Sequence, residues 1–172
     1  MKKNLFIILF FIVALNFSHL PLRLVLAQDL PGSILIVTPE KVQPADGNIK
    51  FGLKRLKENI FLALLRFSPA KKVQYLKKLV GVRLSEFKGV IDNNDKHNIE
   101  KASQRYFTTV GMLVDFTNST PKLASEKENI KNLLVKHYAY IFPLKEEFEA
   151  GSAEWLFVKQ VMDYLVIYKE QL

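Results

Sequence analysis

Three histidines and no cysteine bound the chemistry this chain can carry. Without thiols there is no cysteine nucleophile, disulfide, thiolate zinc site or iron–sulfur cluster, and no cysteine to lipidate. His97-Asn98-Ile99-Glu100 sets an imidazole and a carboxylate within one helical turn. Two ligands fall short of a catalytic zinc site, and no His-Glu-x-x-His occurs, so the pair reads as a solvent-exposed helix start. His137, beside Tyr138 and Tyr140, reads as a cation near a helix C-terminus, where the macrodipole favours positive charge. Glu146-Glu147-Phe148-Glu149 supplies hard oxygens but lacks the alternating ligands and central glycine of a calcium loop; it reads as an acidic helix start or a solvated loop. There is no glycine-rich phosphate loop, Gly-x-Ser-x-Gly elbow or Ser-x-x-Lys. No catalytic residue, metal site or cofactor is assigned.

What remains is charge and aromatic surface. Lys plus Arg number 25 against 17 Asp plus Glu, a formal +8. The surplus is local: residues 50–88 hold eleven basic and two acidic groups, whereas residues 89–172 hold ten basic and twelve acidic. A basic hairpin therefore leads a slightly acidic remainder. Such a face is either an ordinary solvated surface, in part attracted to Glu146, Glu147, Glu149 and Glu154 of the same chain, or a surface for an anionic partner. The candidate anion-binding residues are Lys54, Arg55, Lys71, Lys72, Lys77, Lys78 and Arg83. The expected partners are an anionic cell-envelope polymer, lipid headgroups or an acidic protein. Sequence-specific nucleic-acid binding is not expected, because no helix-turn-helix spacing, zinc finger or RNA-binding aromatic motif is present. An alternative site, for a small apolar ligand held between helices, is offered by Trp155, Phe157, Tyr164 and Tyr168.

These residues need elements to position them, and the hydrophobic spacing supplies helices. Ile49, Leu53, Leu56, Ile60, Leu64 and Phe67 recur at intervals of three and four, the stripe of an amphipathic helix. Ser68-Pro69 provides a cap and a first-turn proline for a second helix, buried through Val73, Leu76, Val80 and Phe87. Asp92-Asn93-Asn94-Asp95 is a turn. Ile99, Ala102, Tyr106, Val110, Leu113 and Thr117 mark a third helix. Thr120-Pro121 repeats the cap for a fourth, through Leu123, Ile130, Leu134, Tyr138 and Ile141, which Pro143 breaks or follows with a short turn. Gly151-Ser152 precedes a last helix whose apolar face, Trp155 to Tyr168, is wide enough to pack between two neighbours. Short connections make consecutive helices antiparallel. The expected fold is all-α: an antiparallel bundle of about five helices over residues 49–172, with the basic hairpin at 49–91 and the other helices at 98–172.

Upstream the pattern differs. Met1-Lys2-Lys3-Asn4 followed by the apolar run Leu5–Leu15 reads as the n- and h-regions of a signal peptide, with Val25-Leu26-Ala27 as the cleavage site. The chain is then secreted or extracytoplasmic after cleavage following Ala27; the alternative is a membrane anchor formed by uncleaved residues 5–27. Residues 28–48 carry Pro31, Gly32, Pro39, Pro44 and Gly47 around Ile34-Leu35-Ile36-Val37 and read as an extended, Pro-rich arm.

Three segments of the first hairpin carry a resemblance. They are Asn48–Ile60, Phe67-Ser68-Pro69-Ala70-Lys71-Lys72, and Lys78–Glu86 with its Arg83-Leu84-Ser85-Glu86 ending. Together they resemble the exported bacterial helical domain of unknown function 5667 family. Its pattern opens with Ser-Pro before an amphipathic helix and continues through an Asp-Pro turn to Leu-Ala-x-x-Arg-Leu-x-Glu. This chain departs at Asp46-Gly47-Asn48-Ile49, which replaces Ser-Pro, and at Val80-Gly81. The resemblance implies export and a helical hairpin, and brings no activity with it. The combined expectation is a secreted or cell-surface helical protein that acts as a non-catalytic interaction or structural module.

Overall fold

A computed structural model describes residues 49–172, with side chains from residue 52 onward. The signal-like segment and the Pro-rich arm lie outside the described residues. Among those described there are five α-helices and no strand: α1 (Ile49–Leu64), α2 (Pro69–Asp92), α3 (Lys96–Asn118), α4 (Lys127–Lys145) and α5 (Ala153–Gln171). A single 3-10 turn follows α1 at Leu65–Phe67, and a six-residue 3-10 segment precedes α4 at Pro121–Glu126. The all-α bundle expected from periodicity is the fold observed. No described helix is long and apolar enough to cross a membrane.

The connections follow local chemistry. Ser68 occupies the N-cap of α2 with Pro69 at its first turn, where the missing N–H costs nothing. Asn94 takes a left-handed φ of 51° in the α2–α3 turn, a conformation asparagine tolerates. Gly151, at φ 85°, reverses the chain before α5, and Ser152 Oγ accepts a hydrogen bond from Trp155 N at 3.2 Å as a side-chain N-cap. Two boundaries differ from expectation. Thr120-Pro121 opens the 3-10 turn, so α4 begins at Lys127. Pro143 lies inside α4 rather than ending it. Both Pro143 and Ala139, whose carbonyl loses its helical donor, are exposed, and water can satisfy that carbonyl.

The core joins α2 to α5. Val73, Leu76, Val80, Leu84 and Phe87 of α2 face Ile99, Tyr106, Val110 and Leu113 of α3; Ile130, Leu134 and Ile141 of α4 and Val158, Val161 and Leu165 of α5 complete it. Side chains of this size contribute about 1.5–3 kcal/mol each on full burial. α3 packs against α2 on one side and α5 on the other, and α5 packs against α4. α5 thus has the two neighbours its wide apolar face implied.

α1 departs from expectation in orientation. The helix forms, but its stripe faces outward: Leu53 is 60% exposed, Leu64 68% and Phe67 86%, with Leu56 and Ile60 also exposed. Among its described side chains the buried one is Glu58.

Candidate functional site

The reason for this inversion is an ion-paired quartet beneath α1. Arg83 on α2 is buried, and its Nη1 donates to Oε2 and Oε1 of Glu86 at 2.7 and 2.8 Å, one nitrogen shared by both carboxylate oxygens a helical turn away. Its Nη2 donates to Oε2 of Glu58 on α1. Lys54 Nζ closes the set from the solvent edge, donating to Glu86 Oε1 at 2.8 Å. Two cations and two carboxylates make the quartet neutral, the condition under which charges tolerate burial. Burial alone would raise the Glu86 pKa, but the Arg83 charge and the hydrogen bonds from Lys54 and Arg83 outweigh it and hold the carboxyl below its ordinary value. α1 is rolled so that Glu58 meets Arg83, and Phe61 then sets its ring edge-on to Tyr75 with centroids 4.7 Å apart.

Beside the quartet lies a cleft of about 380 Å³ between α1, α2 and α3. Arg55, Glu58, Asn59 and Leu62 line it from α1, Leu79 and Arg83 from α2, and Lys101, Gln104, Arg105, Thr108, Thr109 and Met112 from α3. Apart from Glu58 and Arg83, which neutralise one another, its charged lining is Arg55, Lys101 and Arg105. Asn59, Gln104 and Thr108 add amide and hydroxyl groups. The arrangement suits a negatively charged, hydrogen-bonding group and holds no nucleophile activated by a base. Among the described residues no three His, Asp or Glu gather as a metal site.

The seven candidate cations do not form one face. Arg83 is a correction: it is buried inside the quartet and cannot meet an external anion. Lys54 pairs with Glu86, and Lys77 with Glu126 of the 3-10 turn at 3.2 Å. Lys72 lies over the Phe116 ring, 4.2 Å from its centroid. Arg55 lines the cleft, while Lys71 and Lys78, seven residues apart, are exposed along one side of α2. The hairpin's ion pairs include those to Glu58, Glu86, Asp92 and Glu126, and Lys88, whose pKa is raised most by its hydrogen bond to Asp92, also feels the charge of Glu147. In the C-terminal acidic group Glu154 pairs with Lys96, and Glu146 with Lys145. Nothing local in the sequence marks Lys101 and Arg105, because only tertiary docking brings α1 beside α3.

The aromatic candidates are spread along α5. Tyr164 stacks on Phe107 of α3 at 4.3 Å and on Tyr168 at 5.7 Å. Tyr168 reaches α3 at Gly111, where an added Cβ would stand 2.7 Å from its hydroxyl. These two rings are therefore engaged in helix packing. Trp155 and Phe157 instead border a hollow at the start of α5, with Lys145 Nζ 5.3 Å from the Trp155 ring. The hollow of about 220 Å³ between α4 and α5, lined by Leu134, Val135, Tyr138, Leu165, Val166 and Lys169, contains none of the four.

His97 is exposed one residue into α3, as a helix-start residue should be. His137 is corrected: it is fully buried on α4, and burial lowers its pKa to about 4, so it is neutral and not a cation at a helix end. Its Nδ1 lies 2.8 Å from the Tyr106 hydroxyl, and its Nε2 has no hydrogen-bond partner.

No family model, curated protein or solved structure matches this chain.

Proposed function

We propose that the protein is a non-catalytic interaction module that engages an anionic partner through the cleft between α1 and α3, and that it does so outside the cytoplasm. The observation that carries this reading is the cleft lining. Once the neutral quartet is set aside, every charged residue there is a cation, contributed by two helices around hydrogen-bonding amides and hydroxyls. Lys71 and Lys78 extend the positive field along α2, which favours long-range attraction of a polyanion. The pattern of residues 1–27 supports the extracytoplasmic setting.

The test is retention of the full chain on an immobilised polyanion in a salt gradient. Reversing two exposed lining charges, Arg55→Glu with Lys101→Glu, should bring elution to clearly lower salt, since each displaced counterion contributes to the salt dependence. Reversing Lys122 and Lys136, exposed elsewhere in the bundle, changes net charge equally and should shift elution much less. Equal shifts would reduce the cleft to generic surface charge and overturn the reading.

A further inference from the structure

The cleft between α1 and α3 is graded along its length. Lys54 meets Glu86, Glu58 meets Arg83 and Phe61 meets Tyr75, so α1 and α2 run antiparallel. Phe87 meets Tyr106 and Lys72 reaches Phe116, so α2 and α3 are antiparallel too. The two walls, α1 and α3, are therefore parallel, and rising residue numbers on both point the same way down the cleft. Arg55 on α1 and Lys101 and Arg105 on α3 stand toward one end. Leu62 on α1, Met112 on α3 and Leu79 of α2 stand toward the other. At 1.5 Å per residue Arg55 and Leu62 are about 10 Å apart along their helix, and Lys101 and Met112 about 16 Å. Asn59 and Thr108 lie between the ends. The three cations hold interactions of their own, and a guanidinium's several N–H donors let it take a further acceptor beside an existing one.

A wholly polar anion would occupy one end of this cleft and leave Leu62, Leu79 and Met112 unused. A neutral apolar ligand would set carbon against guanidinium groups, desolvating charge without supplying an anion. A ligand with an anionic head and an apolar body about 10 Å long matches both ends. The cleft's volume of about 380 Å³ falls in the range of small-molecule sites. We propose that the cleft binds a free medium-chain fatty acid, its carboxylate among Arg55, Lys101 and Arg105 and its chain along Leu62, Leu79 and Met112. This rests on the reading of the cleft as the anion-directed site, and adds that the anion carries an apolar chain. The neutral Glu58–Arg83 pair lies in the lining and props α1 away from α3 without adding net charge.

The chain holds three methionines: Met1, Met112 at the cleft and Met162 buried in the core. Isotopic labelling of the methionine methyl groups in the full chain therefore gives one nuclear magnetic resonance reporter at the site and one inside the bundle. Octanoate, below its micelle concentration, should shift the Met112 resonance saturably and leave Met162 in place, even where the apolar run Leu5–Leu15 takes up the same acid. Affinity read at Met112 should rise from butyrate to octanoate by up to about fourfold per methylene. Octanol should bind about tenfold more weakly than octanoate, since it brings no anion to the cationic end. Leu62→Gln should weaken octanoate about fivefold and leave polyanion retention unchanged, whereas Arg55→Glu with Lys101→Glu should weaken both. A Met112 resonance that does not move, octanol binding as well as octanoate, or an affinity independent of chain length each overturns the proposal, and all three are read on the wild-type chain. If they fail while polyanion retention through Arg55 and Lys101 persists, the fatty-acid site falls and the anion-directed reading stands; if both fail, both fall.

Discussion

Lowering the pH should destabilise this fold through a single buried imidazole. His137 and Tyr106 are both fully buried, and the Tyr106 hydroxyl, whose pKa burial holds well above its usual value, shares a hydrogen bond with Nδ1 at 2.8 Å. The imidazole is neutral, and Nε2 has no hydrogen-bond partner to stabilise a second proton. Burial takes its pKa from 6.5 to about 4. Between these values the unfolded chain binds a proton that the folded chain refuses, so stability falls as pH drops through 6.5 and the loss levels off below about 4. At about 1.4 kcal/mol per pH unit the full loss is about 3 kcal/mol. Urea unfolding followed by circular dichroism across that window would measure it, with His137→Gln as the reference that keeps a hydrogen-bonding partner for Tyr106 and cannot titrate. The stability difference between wild type and the variant should shift by about 3 kcal/mol against the wild type from neutral pH to about pH 4. This subtraction removes the carboxylates, including Glu86, whose depressed pKa makes it lose its own contribution only at lower pH. A difference that stays constant with pH would refute the reasoning. So would an imidazole resonance titrating at the ordinary value in the folded protein.

Two other perturbations test the packing. Arg83→Met takes Arg83 from buried Glu58 and leaves Glu86 with Lys54, and should cost about 3–5 kcal/mol in chemical denaturation, whereas Glu58→Leu, Arg83→Met and Glu86→Leu together should recover most of it; a loss below about 1 kcal/mol from the single change would show the quartet to be hydrated. Gly111→Ala should destabilise by about 1 kcal/mol because its Cβ meets the Tyr168 hydroxyl, and in a Tyr168→Phe background the same change should be neutral or favourable as alanine's helix propensity emerges; equal effects in both backgrounds would remove Tyr168 as the cause.

Helices α2 to α5 were legible because their buried residues recur on one face, and the starts of α2 and α5 because Ser68-Pro69 and Gly151-Ser152 stand in the expected places. α1 was legible as a helix and not as to which side is buried. Periodicity measures the separation of polar from apolar faces; the roll is decided by Glu58 finding Arg83, twenty-five residues away. Half of that signal was visible, since Arg83 and Glu86 are three apart on a helix among buried neighbours. His137 was visible too: it completes the series Ile130, Leu134, Ile141 at core spacing, which outweighs its nearness to a helix end. The cleft had no such trace, because Arg55 and Lys101 meet only through tertiary docking.

The position of α5 carries a consequence for the order of events in the cell. It lies against both α3 and α4 and supplies Val158, Val161 and Leu165 to the core. It is also the last of the five helices to leave the ribosome. Until Ala153 onward has emerged, the faces of α3 and α4 that it covers have nothing to close on, so the nascent chain can assemble the α2–α3 hairpin but not the bundle. Completion waits for α5, and a chain interrupted before it presents sticky, unclosed helices rather than a smaller working domain.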